Sequence, residues 1–330
     1  MIISRTPFRI SFFGGGTDYP VHYKKHGGAV LASSINKYCY ITCRYLPPFF
    51  KHKHRIAYSV VETPNKISEI DHPSVRETLR YMDIKKGVEI HHDGDLPARA
   101  GLGTSSSFTV GLLNALYALK GKSVTKRQLA LDAIYIEQEK IKENVGSQDQ
   151  ITTAFGGFNK IEFNGDEEFR VRPIPLTRKK SQFLQDHMML FFTGFSRTAS
   201  HIAKEQIKKT PDRKKELKRM TEIVDEAIDV LNDNDTDFTE FGKLLHENWM
   251  IKRNLTSKIT TEKIDKIYYD AMKAGASGGK LLGAGGGGFI LFFVEPKKQK
   301  QVMNKLKNLL YVPFRFENSG SQIIYFTAGE

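Results

Sequence analysis

Hydrophobic and polar positions change period several times along the chain, and those changes separate strands from helices. Ile2 to Phe13 and Ala29 to Tyr45 predict strands, the second supplied with Ile35, Tyr38, Tyr40, Ile41 and Tyr45. Between them Gly14-Gly15-Gly16-Thr17-Asp18-Tyr19-Pro20 reads as a loop. A strand near Val88 to His92 leads through Asp95 to Ser107 into Phe108 to Lys120, where Val110, Leu112, Leu113, Leu116 and Leu119 recur at helical spacing and Gly121 ends the run. Thr125 and Gln128 form a capping box for a helix reaching about Glu143. Further on, the pattern predicts a strand at Met188 to Phe192 and helices at Leu217 to Asn232, Phe238 to Lys252 and Glu262 to Ala274. A glycine loop at Gly283 to Gly288, a strand at Phe289 to Val294, a helix at Lys297 to Leu310 and a strand at Gln322 to Phe326 close the chain.

Strands cluster early and helices in the middle, without sustained strand–helix alternation, so the expected class is α+β. A length of 330 residues suggests two domains. The boundary is expected between Pro173 and Gln185, near residue 180, where Pro173, Pro175 and Arg178 to Ser181 interrupt the pattern. No apolar run approaches the ~20 residues that span a bilayer, and Arg5 and Arg9 interrupt any signal-peptide core, so a cytoplasmic protein without a membrane partner is expected. Cys39 and Cys43 are expected to be reduced residues on one strand face.

Fifty Lys and Arg against 37 Asp and Glu give +13, which invites anionic partners. The densest cluster, Lys208 to Arg219, is broken by Pro211, Asp212 and Glu216 and reads as a solvated helix start rather than a nucleic-acid patch. Two P-loop imitations fail by position: the glycine needed five residues before Gly121-Lys122 is Leu116, and that before Gly279-Lys280 is Ala274. Gly283-x-Gly285-x-x-Gly288 matches a dinucleotide fingerprint by letter, yet it precedes a strand instead of opening a helix.

Gly101 to Ser107 is different. Gly101 and Gly103 let the backbone approach an anion, and the amides that follow open a helix, whose N-terminus favours phosphate. Thr104, Ser105, Ser106 and Ser107 add more hydroxyls than one cap requires. On the next helix, placing residues at ~100° intervals from Leu129 puts Glu137 near the middle of the apolar arc. A carboxylate directed inward must meet a cation, hold a proton or bind a metal. Gly146 to Gln150 places Asp149 in a tight loop, as a base or a turn former.

Taken in order, these motifs resemble the GHMP kinases, the superfamily of galactokinase, homoserine kinase, mevalonate kinase and phosphomevalonate kinase. Pro7 to Tyr19 is similar to the family's first motif, Gly101-Leu-Gly-Thr-Ser-Ser106 to its phosphate loop, and Lys280 to Phe289 to its third. Gly146 to Gln150 resembles the galactokinase loop carrying the catalytic aspartate. The resemblance implies a two-domain fold, residues 1–180 related to the second domain of ribosomal protein S5 and 181–330 ferredoxin-like, with the active site between them. It implies ATP and Mg²⁺, with Asp149 as catalytic base beside Arg9, Gly101, Leu102, Gly103, Thr104, Ser105 and Ser106 around the ATP phosphates, and Glu137 with Thr104 or Ser105 on the metal.

For the acceptor the resemblance implies Asp18, with Gly15, Gly16, Thr17, Gly285 and Gly286 in the substrate site. Gly15 and Gly16 stand where galactokinase has Glu and His, which argues against galactose. The Gly-Gly-Gly-Thr-Asp form of the first motif and the Gly-Gly-Lys-Leu-Leu-Gly-Ala-Gly-Gly-Gly-Gly-Phe ending are most similar to the bacterial heptose 7-phosphate kinase branch, with fucokinase-type domains next. That branch implies phosphorylation of an anomeric C1 hydroxyl, of D-glycero-D-manno-heptose 7-phosphate, for nucleotide-activated heptose and surface polysaccharide. A fucokinase-like enzyme or a non-catalytic binding member remains the alternative, and the chain is expected to be a monomer or homodimer. Cations for a phosphate on the substrate are sought at Arg197 and at Lys252 with Arg253.

Overall fold

The computed structural model describes residues 1–98, 100–165, 169–194, 199–233 and 238–327. Its first half is a sheet backed by helices. The chain runs β1 (Ile2–Phe13), α1 (Pro20–His26), β2 (Gly28–Tyr45), β3 (Arg55–Ala57), β4 (Val61–Glu62), α2 (Pro73–Tyr81), β5 (Val88–Gly94), α3 (Thr104–Leu119), α4 (Lys126–Tyr135), α5 (Gln148–Phe155), β6 (Phe158–Phe163) and β7 (Phe169–Pro173). It continues through α6 (Arg178–Asp186), β8 (Met188–Phe192), α7 (Ala199–Lys209), α8 (Lys214–Asn232), α9 (Thr239–Arg253), α10 (Glu262–Lys273), β9 (Ala276–Leu281), β10 (Phe289–Val294), α11 (Pro296–Lys305), β11 (Leu310–Tyr311), β12 (Phe316–Glu317) and β13 (Gln322–Phe326).

β2 organises the larger sheet. Its first turns of strand pair with β6, its second half pairs with β5, and β1 lies antiparallel along nearly its whole length. Register shifts after Pro7 and between Ser11 and Phe13 bend β1, so that its C-terminal end reaches the other half of the molecule. The smaller sheet, β11-β8-β10-β9, is antiparallel throughout. In it α9 presses onto β9 where Gly242 faces Gly278: a Cβ on Gly278 would fall 1.8 Å from the Gly242 carbonyl oxygen. Any side chain at Gly278 would push the helix off the sheet.

One apolar core crosses the two halves. Phe12 and Phe13 of β1 pack against Phe241 of α9, which in turn meets Phe293 of β10. A second cluster surrounds the fully buried Trp249 and Tyr268. The final strands return to the first sheet, β13 pairing with β1 and β12 with β2, and the boundary expected near residue 180 falls within α6.

The α+β reading matches this architecture, and the strands read at Met188 to Phe192, Phe289 to Val294 and Gln322 to Phe326 have those bounds. Cys39 and Cys43 are free, buried and on one face of β2. Thr125 caps α4, its hydroxyl accepting from Gln128 N at 3.1 Å. The basic cluster does start a helix, but Arg219 is not merely solvated: it bridges α8 to α9 through Glu247 at 2.7 Å.

Three expectations need correction. The helix carried to Glu143 stops at Tyr135 and widens into a π-helical turn over Ile136–Lys140, where Ile141 N donates to Ile136 O. Asp149 does not sit in a loop; it lies in the first turn of α5, whose run of buried Gln and Thr hides the apolar face from a periodicity reading. The last helix ends at Lys305, and Leu310, read as its end, instead opens the short edge strand β11. Among the described residues no helix is long and apolar enough to cross a membrane.

Candidate active site

Two glycine loops meet at the junction of the sheets. Gly101 and Gly103 both take positive φ, 87° and 70°, and Gly103 is the N-cap of α3. The turn is pinned: Arg9 N donates to Leu102 O at 3.0 Å, and the Ser107 hydroxyl reaches Gly103 O at 2.9 Å. Against this loop lies the second one, with Gly283 so near that a Cβ there would stand 2.5 Å from the Gly101 Cα. Phe289 N completes the seam by donating to Ala100 O at 3.1 Å. The open amides of the α3 N-terminus therefore sit where both halves of the chain converge, an arrangement suited to a polyanion.

Asp149 and Arg9 form a planar fork. Arg9 Nε and Nη2 donate to the two Asp149 oxygens at 2.7 Å each, and Nη1 donates to Gly101 O at 2.7 Å. One arginine thus ties the carboxylate to the loop. Asp18 stands near by, its Oδ1 accepting from Gly16 N at 2.8 Å and its Oδ2 from Gln148 N at 3.4 Å. Gly146 must be glycine here, since a Cβ would lie 1.9 Å from Asp18 Oδ2. Burial is the main influence on Asp18, pushing its carboxyl up, with Asp149 adding in the same direction. Thr17 is turned away from the cavity and ties the loop together, its hydroxyl sharing one proton between Gly14 O at 2.8 Å and Ala29 O at 2.9 Å.

Glu137 projects inward from the π turn and is fully buried. Its Oε2 accepts from Ser106 Oγ at 2.9 Å and from Gln150 Nε2, while Oε1 has no partner among the described residues. Burial, together with the nearby Glu143, pushes its carboxyl up to about 8. Among the described residues no cation meets it, so none of them supplies the arginine pairing, one of the three roles open to an inward carboxylate. An orphan carboxylate oxygen beside a serine hydroxyl is a hard oxygen donor set that suits Mg²⁺. The hydroxyl brought to Glu137 is that of Ser106; Ser105 is exposed on the first turn of α3, and Thr104 is buried there. Among the described residues no group of three His, Cys, Asp or Glu side chains gathers as a metal site.

A small cavity of about 100 Å³ joins these parts, lined by Arg9, Gly15, Gly16, Asp18 and Asp149 and also by Ser11, Gln148, Gln206, Lys252, Lys280, Gly283 and Ala284. Lys252 and Lys280 are buried, and burial pulls Lys252 down to about 8 and Lys280 well below its usual value. Gly285 and Gly286 face elsewhere, Gly286 N donating to Ile259 O at 2.9 Å. Arg253 is engaged by Asp265 at 2.6 Å and by Tyr269. Arg197 lies outside the described residues.

Sequence reasoning missed Lys280, Ser11, Gln148 and Gln206. Lys280 carried a signal, a lone cation inside the third glycine motif and just ahead of an all-apolar strand. Ser11 and the two glutamines carried none, because an uncharged polar residue looks the same in a sequence whether it is solvated or buried.

Known proteins of similar sequence and shape place the chain in a family. Residues 72–157 match the GHMP kinases N terminal domain and residues 204–312 the GHMP kinases C terminal, together more than half the chain. The chain is 29% identical over 325 residues to a D-glycero-alpha-D-manno-heptose 7-phosphate kinase of Campylobacter jejuni, covering 93% of each. It is 27% identical to a galactokinase of Pyrococcus furiosus, covering 91% of each. A solved D-glycero-D-manno-heptose 1-phosphate kinase from Bacteroides thetaiotaomicron is similar with a TM-score of 0.74 and 27% identity, covering 99% of this chain and all of that one. The two glycine loops, the Arg9–Asp149 fork and the matched segments lead to one conclusion: the chain belongs to the GHMP kinases.

Proposed function

We propose that this kinase transfers the γ-phosphoryl group of ATP to the anomeric C1 hydroxyl of a sugar phosphate, D-glycero-D-manno-heptose 7-phosphate, giving the 1,7-bisphosphate. The observation that carries the reading is the Arg9–Asp149 fork, which holds a carboxylate at the cavity wall beside the phosphate loop. Asp149 accepts the proton of the sugar hydroxyl as its oxygen attacks the γ-phosphorus, and the bond to the ADP oxygen breaks. Arg9 orients the carboxylate and, through Gly101 O, keeps it in register with the loop. Gly101 to Ser106 receive the phosphates, Glu137 with Ser106 would hold Mg²⁺, and Asp18 orients sugar hydroxyls. Bound there, the ion neutralises charge on the phosphates.

Heptose phosphates are supported by the names of the Campylobacter and Bacteroides relatives, which differ in where the phosphate is placed. The experiment is a wild-type assay with ATP and heptose 7-phosphate, heptose, fucose, galactose and mannose, with the product read by phosphorus NMR. A bisphosphate whose new phosphate sits on the anomeric carbon, and is released by mild acid, is expected. A new phosphate on another carbon overturns the C1 assignment, and faster turnover of an unphosphorylated sugar overturns the acceptor.

A further inference from the structure

The cavity holds polar atoms that the protein itself does not satisfy. Among the described residues, Ser11 Oγ, Gln148 Oε1 and Gln206 Nε2 have no hydrogen-bond partner, although their residues are only 6%, 9% and 3% exposed. Leaving such groups unpaired is costly in a folded protein, and native structures keep few of them without a reason. Here the three come from β1, α5 and α7 and line one cavity.

Gly15 and Gly16 show where a ligand atom fits. A methyl group on Gly15 would stand 3.5 Å from Ser11 Oγ, 3.7 Å from Gln148 Nε2 and 3.9 Å from Lys252 Nζ. One on Gly16 would stand 2.8 Å from Gln206 Nε2. The space that side chains would fill at these positions is therefore ringed by an ammonium, two amide NH₂ groups and a hydroxyl. That ring is rich in donors.

Charge points the same way. Arg9 is matched by Asp149. Lys252 Nζ donates to Gly283 O at 2.7 Å and Lys280 Nζ to Phe12 O at 2.8 Å, so both buried ammoniums rest on neutral carbonyls and share the remaining Asp18. Among the described residues three basic side chains, Arg9, Lys252 and Lys280, face two carboxylates, Asp18 and Asp149, so the lining is basic by one group. A buried cation without a counter-charge is unfavourable, and an anionic ligand relieves it.

We propose that Lys252, Gln148 and Gln206 form a cradle above Gly15 and Gly16 that binds the phosphate already carried by the acceptor, and so select phosphorylated over unphosphorylated sugars. The proposal rests on the sugar phosphate reading above. A phosphate dianion only accepts hydrogen bonds, so it can take those of the Gln206 and Gln148 amide nitrogens and the Ser11 hydroxyl, while the Gln148 Oε1 acceptor is left to a sugar hydroxyl. The same chemistry belongs to the γ-phosphoryl group of ATP, and the two sources separate kinetically.

The test compares kcat/KM for heptose 7-phosphate and heptose in the full-length wild type, Gln206→Leu, Lys252→Met and Arg253→Ala. Wild type is expected to favour the phosphorylated sugar. Gln206→Leu and Lys252→Met should cut that preference by about 10-fold or more, through KM for the sugar phosphate, with KM for ATP within about twofold. Arg253→Ala, whose partners lie outside the cavity, should keep it. If the preference survives both cavity variants, the cradle is wrong and the sugar phosphate reading stands. An equal fall in kcat with both sugars would assign the cradle to the γ-phosphoryl group and overturn the proposal. A wild type without preference removes the phosphorylated acceptor itself, and the cradle with it. Should Lys252→Met fail to fold, Gln206→Leu decides, since it keeps shape and removes only the amide.

Discussion

On one side of Arg9 lies the loop from Gly101 to Ser107; on the other lies the cavity around Gly15 and Lys252. The loop is seven consecutive residues, and its proposed work is done by backbone amides, two left-handed glycines and the start of α3. The cavity draws Ser11 from β1, Gln148 and Asp149 from α5, Gln206 from α7, Lys252 from α9 and Lys280 from β9. A site made of backbone is written in adjacent letters. A site made of side chains from five elements exists only after the chain has folded, and its residues are free to change with the ligand. With the proposed roles, the donor loop is fixed by backbone geometry, while the acceptor site can be changed one side chain at a time.

The residue that spans the two sides should show the largest effect. Asp149→Asn keeps the shape of the fork but replaces one of the two oxygens that Arg9 grips and removes the base, so kcat should fall by roughly 10²–10⁴. KM for ATP should change little, because Asp149 touches Arg9 and not the amides of α3. A steady-state comparison of kcat and both KM values checks this, and near wild-type turnover would remove Asp149 from the chemistry.

How much of this was legible in the sequence follows from the same distinction. Gly101, Gly103 and the helix after them could be read directly, since glycine spacing and helical period are local properties. Glu137 was legible in its inward direction, because a helical wheel reports burial. Its partner was not: Ser106, rather than Ser105, meets it, and a one-residue difference rotates a hydroxyl by ~100° about α3. Asp149 was found in the wrong local structure, since α5 buries Gln148, Gln150, Thr152 and Thr153 and so lacks an apolar stripe. The crossing of β12 and β13 into the first sheet was invisible for the opposite reason. Each is a short strand whose pairing partner lies some 280 to 320 residues away.

If the loop acts through its backbone, its glycines should matter more than its hydroxyls. Gly101→Ala would place a Cβ 2.4 Å from Leu282 O at a φ that L residues resist, and so would separate the two glycine loops. A loss of about 10-fold or more in kcat/KM for ATP is expected, with a melting point lowered by a few degrees. Ser105→Ala, exposed on the first turn of α3, should stay within about threefold of wild type on the same measurement. The reverse ranking would mean that side chains, and not amides, hold the nucleotide.

The cavity, by contrast, should reveal itself as stored instability. Lys252 keeps its ammonium among Arg9, Asp18 and Asp149, and burial is the main cause that lowers it from 10.5 to about 8. Below pH 8 the folded and unfolded chains both hold the proton, and the folded state bears the whole penalty of the buried charge, on the order of 3 kcal/mol. Between about 8 and 10.5 the unfolded chain holds a proton that the folded chain has released, so this lysine's contribution to stability rises with pH across that window. Lys252→Met removes the charge and also the hydrogen bond to Gly283 O, which offsets about 1 kcal/mol of the gain. The variant should therefore melt roughly 5 °C above wild type at pH 7, and the gap should vanish at about pH 10 and turn slightly negative above it. Melting curves of both proteins across that range check the slope. A gap that stayed constant with pH would show that Lys252 is held as firmly as a surface lysine, and the contrast between a relaxed loop and a strained pocket would then be lost.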